Sequence, residues 1–211
     1  MVTTRKKTET VAEDQQVKDR KANLKREIAE QGGSKGKGKV SKAETTKSVA
    51  SKATSSSNSK KLSEGDFLPE AIILTSDEGT SVNLWEESQS RDIVLFFYPK
   101  ANTPGCTKQA CGFRDNHAVL EGRHNVRVFG CSADSPASLA NWKKKYNLPY
   151  GLLSDKEMVL IKLLGVFRAP KNINRSHVII GKGGKIVRSR IGVSPAESFE
   201  DVVEFFDKST K

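Results

Sequence analysis

The chain has 211 residues, 36% of them hydrophobic, and a formal net charge of +11. No apolar run of about 18 residues is present, which excludes a membrane span. The N-terminus also lacks the apolar core of a secretory signal, so we expect a soluble, intracellular protein.

The first third of the chain differs from the rest in composition. Residues 1–62 contain 16 Lys and Arg against 7 Asp and Glu, and no aromatic residue. Such a segment cannot bury enough apolar area to offset its chain entropy. We therefore predict a disordered basic N-terminal arm and linker over 1–61, followed by one domain over 62–211. A basic arm is attracted to polyanions or recognised by import machinery, and composition leaves both open.

The domain begins with three predicted strands. Residues 71–74 and 81–84 are two weak strands that form an edge hairpin around the turn at 77–79. Residues 93–98 are continuously apolar, which is typical of a central strand covered on both faces.

The later elements alternate between helices and strands. In chain order, the sequence predicts a helix over 104–120, a strand over 126–131, helices over 136–146 and 158–164, strands over 177–180 and 185–190, and a helix over 195–207. Ser135 before Pro136 is a good helix N-cap. This order predicts a thioredoxin-like α/β fold, with a central mixed β-sheet flanked by helices.

Cys106 lies at the junction between the central strand and the next helix, where open α/β sheets place their ligands. With Thr103 as N-cap and Pro104 as the first helical residue, the sulfur lies near unpaired backbone N–H groups. This environment favours the thiolate, the nucleophile that cleavage of a peroxide requires. Pro99 and Pro104 stiffen the loop, so that its remaining donors can point inward.

The cysteines allow other interpretations. Three cysteines in a reducing compartment do not indicate a static disulfide framework. Cys131 ends a buried strand and is interpreted as an inert core residue. A thiol–disulfide oxidoreductase normally uses a C-x-x-C pair, which is absent. A metal site would draw on the three cysteines with His117, His124 and His177, but their spacing matches no usual zinc pattern, so none is predicted.

The segment FYPKANTPGCTKQACGFRD, residues 97–115, closely resembles the active site of the peroxiredoxins. The likeness is to the branch named PrxQ or bacterioferritin-comigratory protein, within the AhpC/TSA type. The segments at 130–135, 152–155 and 175–180 follow in the family's order, and the resemblance covers about residues 62–208.

The resemblance implies a role for each site residue. Cys106 is similar to the peroxidatic cysteine, Thr103 to the hydroxyl that positions peroxide, and Pro99 to the loop residue that shields the thiolate. Arg175 corresponds to the guanidinium that holds the thiolate and the oxygen on which charge develops. A sulfenic acid at Cys106 would be attacked by Cys111 to give an intramolecular disulfide, which thioredoxin then reopens. The substrates would be hydrogen peroxide and organic hydroperoxides, with no cofactor or metal, and the protein a monomer.

The spacing of the two cysteines has a geometric consequence. In an intact helix their Cα atoms would be roughly 8.7 Å apart, whereas a disulfide requires about 4.4–6.8 Å. A disulfide between Cys106 and Cys111 would therefore have to unwind part of the helix.

The basic arm departs from most compact members of the branch, but eukaryotic nuclear thiol peroxidases that this chain resembles carry such arms. Basic clusters at 5–7 and 18–26 are consistent with a nuclear import receptor as partner, so we expect nuclear localisation, with the cytoplasm as the other compartment. The alternative function is a chromatin or nucleic-acid-associated protein. No aromatic residue interleaves with the arm's charges, so its nucleic-acid contacts would be weak and non-specific.

Overall fold

A computed structural model describes residues 61–209 of the chain. The basic arm predicted over 1–61 lies outside these residues, apart from its last position. No helix among the described residues combines the length and the apolar character needed to cross a membrane.

The described residues form strands and helices that largely alternate along the chain. The strands are β1 (Ile73–Ser76), β2 (Ser81–Asn83), β3 (Ile93–Phe97), β4 (Arg127–Ser132), β5 (Gly151–Ser154), β6 (Phe167–Arg168), β7 (Asn172–Ile173), β8 (Ser176–Ile180) and β9 (Ile186–Ile191). The helices are α1 (Leu84–Ser90), α2 (Pro104–His124), α3 (Pro136–Tyr146), α4 (Val159–Leu163) and α5 (Pro195–Ser209).

Seven strands form one mixed sheet in the order β2-β1-β5-β4-β3-β8-β9, and β6 pairs with β7 separately. Strand β3 is parallel to β4 and antiparallel to β8, and β4 is parallel to β5. The thioredoxin-like mixed sheet flanked by helices is therefore confirmed, and β3 lies near its middle as predicted.

Strand β3 separates two hydrophobic cores, because successive side chains of a strand point to opposite faces. Val94 and Phe96 pack on one face with residues of α2, α3 and α5. Leu95 and Phe97 pack on the other with residues of α1 and α4. All five residues of β3 are buried, which explains why its sequence is continuously apolar.

Two predictions near the sheet edge were wrong. Leu84 does not end a strand but begins helix α1, where the side chain of Asn83 accepts hydrogen bonds from the backbone N–H groups of Trp85 and Glu86. Strand β5 was missed, although Leu152 and Leu153 are fully buried. Because β5 pairs with β1, β1 is an internal strand and only β2 of the predicted hairpin lies at the edge. The short β6–β7 hairpin was missed as well.

Helix α3 spans the predicted residues, and the Ser135 side chain accepts a hydrogen bond from the backbone of Ser138, as expected of an N-cap. Helix α2 continues four residues beyond its predicted end, to His124.

Asp201 ties helix α5 to the edge of the sheet. Two guanidinium N–H groups of Arg188 on β9 donate to its carboxylate, one of them at 2.8 Å, and Nε2 of His177 lies 2.8 Å from Oδ2. These bonds, with Arg188 first, lower the pKa of Asp201 to about 2. Burial lowers the pKa of His177.

Candidate active site

Cys106 is the third residue of helix α2, and only 2% of it is exposed. Six residues separate the carboxyl end of β3 from the start of the helix, so the sequence prediction for this junction is confirmed. The first N–H groups of a helix have no intrahelical partner and carry partial positive charge. The sulfur therefore lies where an anion is stabilised.

The loop between β3 and α2 is held by contacts that sequence reasoning missed. The Ala101 N–H donates to Oδ2 of Asp134 at 2.7 Å, and the Ser132 hydroxyl lies 2.9 Å from the same oxygen. Asn102 adopts a left-handed backbone with φ of 57°, and its side chain accepts a hydrogen bond from Lys145 at 3.1 Å. The half-buried carboxylate of Asp134 thus joins the end of β4 to the loop that precedes Cys106.

Arg175 supplies a positive charge beside the sulfur. Its Nη2 lies 3.5 Å from Sγ of Cys106, and its Nη1 donates to Oε1 of Gln109 at 2.7 Å. The Arg175 carbonyl accepts hydrogen bonds from Gly192 and Val193, which fixes the backbone just before β8. The structure therefore brings together the two residues that the sequence comparison paired across 69 positions.

Gly105 leaves room for this guanidinium. A Cβ atom at position 105 would lie 3.3 Å from Nη2 of Arg175, a tight contact that would displace the guanidinium by a few tenths of an ångström. The glycine before Cys106 therefore leaves Arg175 in contact with the sulfur undisturbed.

Gln109, one helical turn after Cys106, was missed as a site residue. Its side chain is fully buried, and its Nε2 donates to Oγ of Ser198 on α5 at 2.8 Å. A polar residue on the buried face of a helix is a sequence signal for such a role, because buried polar groups need partners. Ser198 offers no comparable signal.

Thr103 and Pro99 lie in the loop that leads to the helix. Thr103 occupies the N-cap position, but its hydroxyl makes no capping hydrogen bond and instead donates to the Lys100 carbonyl at 3.0 Å. The predicted N-cap position of Thr103 is therefore confirmed, although its side chain does not cap the helix. Thr103 is half-buried and Pro99 is exposed.

Cys111 lies in the same uninterrupted helix as Cys106, and both thiols are free. It is half-buried, whereas Cys106 is buried. The residue before it, Ala110, is fixed from outside the helix, because the Tyr150 hydroxyl donates to the Ala110 carbonyl at 2.6 Å. In this structure the backbone between the two cysteines is therefore an intact helix.

Cys131 on β4 is fully buried. Burial, with a smaller contribution from Asp155, raises the pKa of its thiol well above the usual value. A protonated thiol is a poor nucleophile, so the interpretation of Cys131 as a core residue agrees with its surroundings. Among residues 61–209, no three His, Cys, Asp or Glu side chains are grouped so as to hold a metal ion.

Comparison with known sequences points to one family. Residues 65–189 match the model of the AhpC/TSA family. The chain is 42% identical over 138 residues to peroxiredoxin bcp1 of Schizosaccharomyces pombe, covering 64% of this chain and 70% of that one. It is 38% identical over 122 residues to peroxiredoxin Bcp of Bacillus subtilis, covering 54% and 76% of the two chains.

Solved structures give the same result. A PrxQ mutant of Xylella fastidiosa superposes with a TM-score of 0.68 at 26% identity, covering 72% of this chain and 99% of that chain. The peroxidoxin BcpB of Mycobacterium tuberculosis superposes with a TM-score of 0.64 at 27% identity, covering 69% and 96%.

Proposed function

The chain belongs to the AhpC/TSA family and is a thiol peroxidase, and from this premise we propose that Cys106 is the sulfur that attacks the hydroperoxide. One observation carries the proposal: a guanidinium nitrogen of Arg175 lies 3.5 Å from a buried sulfur in the first turn of a helix. Both the guanidinium and the helix N-terminus stabilise negative charge at the reacting atoms.

The reaction proceeds by displacement at oxygen. The Cys106 thiolate attacks the terminal oxygen of the hydroperoxide, the O–O bond breaks, and the sulfur becomes a sulfenic acid. The electron pair leaves with the second oxygen, which takes a proton and departs as water or an alcohol. Arg175 offers donors both to the thiolate and to the oxygen that gains charge, because Nη2, which faces Cys106, carries two N–H groups while Nη1 donates to Gln109.

Thr103 is proposed to orient the peroxide. Its hydroxyl proton is used by the Lys100 carbonyl, so its oxygen lone pairs are available to accept a hydrogen bond from the terminal O–H of the substrate. Pro99 lies on the exposed side of the same loop. It lacks a backbone N–H and limits the freedom of the chain that covers the thiolate.

Cys111 is proposed to resolve the sulfenic acid. Its thiolate attacks the Cys106 sulfur, water leaves, and an intramolecular disulfide forms after the helix between the two residues unwinds. Thioredoxin then reduces this disulfide by thiol–disulfide exchange. Because both cysteines belong to one helix, the cycle needs no second subunit, and we propose a monomer.

The test is thioredoxin-coupled consumption of hydrogen peroxide and of an alkyl hydroperoxide. Cys106→Ser is expected to lose peroxide-dependent thiol oxidation and turnover. Cys111→Ser should be oxidised once and then stop, while the control Cys131→Ser should turn over like the wild type. Peroxide-dependent oxidation that persists in Cys106→Ser would overturn the proposal, and sustained turnover of Cys111→Ser would overturn the resolving role.

The basic arm is proposed to bring the enzyme into the nucleus through an import receptor, as its charge and basic clusters support. A fluorescent fusion that lacks residues 1–61 should leave the nucleus, while the truncated protein keeps its peroxidase activity. Equal nuclear fractions for the full and truncated fusions would contradict this localisation.

A further inference from the structure

A chain of hydrogen bonds leads from the reactive sulfur to helix α5. Arg175 contacts Cys106 with one nitrogen and donates to Gln109 with another, and Gln109 in turn donates to Ser198 at 2.8 Å. Gln109 and Ser198 are both fully buried. We propose that Ser198 is a positioning residue, which orients the Gln109 amide and through it holds Arg175 against Cys106.

The two ends of the Gln109 amide have different hydrogen-bonding requirements. A guanidinium supplies only donors, so it requires the amide oxygen on its side. The amide nitrogen then points towards α5 and requires an acceptor there, which is the Ser198 hydroxyl oxygen. Ser198→Ala would remove this acceptor and leave the buried NH₂ group of Gln109 without it. The amide would then lose the contact that fixes its orientation.

Helix α5 gives the hydroxyl a fixed location. Its start is held by a capping box, in which Ser194 accepts from the Glu197 N–H and Glu197 accepts from the Ser194 N–H at 2.7 Å. The helix also packs closely against α2. The Phe199 ring lies so near Gly112 that a Cβ atom there would be 2.1 Å from it. Ser198, the residue next to Phe199, is therefore held against the part of α2 that contains Gln109 and Gly112.

The inference rests on the proposed role of Cys106, but its main readout does not need peroxide. The pH profile of Cys106 alkylation by iodoacetamide reports how well the surrounding charges favour the thiolate. In Ser198→Ala this profile is expected to move to higher pH, by about half a unit to one unit, and the rate constant with hydrogen peroxide to fall about three- to tenfold. Ser88→Ala is the control, because Ser88 is a fully buried serine that donates to the Trp85 carbonyl on α1.

A double-mutant cycle separates positioning from general stability. Gln109→Met removes the amide and keeps the size of the side chain, so it should reproduce the loss seen in Ser198→Ala. In the Gln109→Met background, Ser198→Ala should have no further effect on the alkylation profile. Ser88→Ala should lower the unfolding midpoint and leave the profile unchanged.

Several results would overturn the inference. An unchanged alkylation profile in Ser198→Ala, or an equal effect of that substitution with and without Gln109, would show that Ser198 does not act through the amide. If Ser198→Ala does not fold, Gln109→Met alone decides, and a wild-type profile for it rejects the inference. Failure of the proposed function has a different signature, because Cys106→Ser would then still consume peroxide whatever the alkylation profiles are.

Discussion

Formation of a Cys106–Cys111 disulfide should unwind the start of helix α2. In the reduced structure both residues belong to a continuous helix, where their Cα atoms are separated by roughly 8.7 Å. A disulfide tolerates about 4.4–6.8 Å. The distance between the two Cα atoms must therefore shorten by about 2 Å or more, and regular helical hydrogen bonding cannot persist between them.

The contacts in the structure determine how much free energy this unwinding costs. Three tertiary hydrogen bonds hold the segment: Arg175 to Gln109 at 2.7 Å, Gln109 to Ser198 at 2.8 Å, and Tyr150 to the Ala110 carbonyl at 2.6 Å. At about 0.5–1.5 kcal/mol for each neutral bond and about 1.5–3 kcal/mol for the charged one, their loss costs roughly 3–6 kcal/mol. In the reduced protein the open segment is then populated at about one part in a hundred or less.

Hydrogen exchange followed by mass spectrometry measures this difference. Amides of residues 107–111 should be protected in the reduced protein and exchange freely in the disulfide form. Peroxide-treated Cys111→Ser, which cannot form the disulfide, should resemble the reduced protein, and peptides covering Ile93–Phe97 should stay protected throughout. Equal protection of residues 107–111 in the reduced and disulfide forms would refute the reasoning.

Three further predictions concern charge, packing and pH. Arg175→Met should lower the rate constant with peroxide about a hundredfold in stopped-flow measurements, because a donor to the developing charge is lost. The control Arg190→Met, at an exposed arginine, should behave like the wild type. Similar rate constants for the two variants would contradict the role assigned to Arg175. Gly112→Ala should lower the free energy of unfolding in denaturant by about 1–3 kcal/mol, because its Cβ would overlap the phenyl ring of Phe199 on α5. Gly122→Ala on the same helix, where a Cβ meets open space, should gain up to about 1 kcal/mol, and equal effects would exclude the steric explanation. The pKa of Asp201 is lowered to about 2 in the fold, so its stabilisation is present above the unfolded value near 4 and lost as the pH falls towards 2. The stability difference between wild type and Asp201→Asn should shrink over that window from roughly 1 kcal/mol, after allowance for solvent screening, and a pH-independent difference would be inconsistent with the ion pair.

The elements that were predicted correctly have strong local signals. Strand β3 is continuously apolar because both its faces are covered, and α3 begins with a serine cap followed by proline. The missed elements are short. Strand β5 has four residues, and α1 follows β2 without an intervening turn, so neither has enough length for a periodic pattern to emerge.

The active site was predictable where a contiguous segment carries it. Cys106 lies in a strand-to-helix junction, and the resemblance supplied Arg175. Gln109, Ser198 and Asp134 were not assigned, because their roles depend on contacts across 66, 89 and 33 residues. Gln109 lies on the buried face of its helix, which is a weak signal, but its partner Ser198 cannot be told from an exposed serine until the packing of α5 against α2 is known.

The central claim is that Cys106 is the sulfur that takes oxygen from a hydroperoxide. It is tested most directly by adding one equivalent of hydrogen peroxide to reduced Cys111→Ser, trapping the sulfenic acid with a carbon nucleophile, and locating the adduct by mass spectrometry. We expect the adduct on Cys106, with Cys131 unmodified. An adduct on Cys131, or an unmodified Cys106 after the peroxide is consumed, would contradict the account.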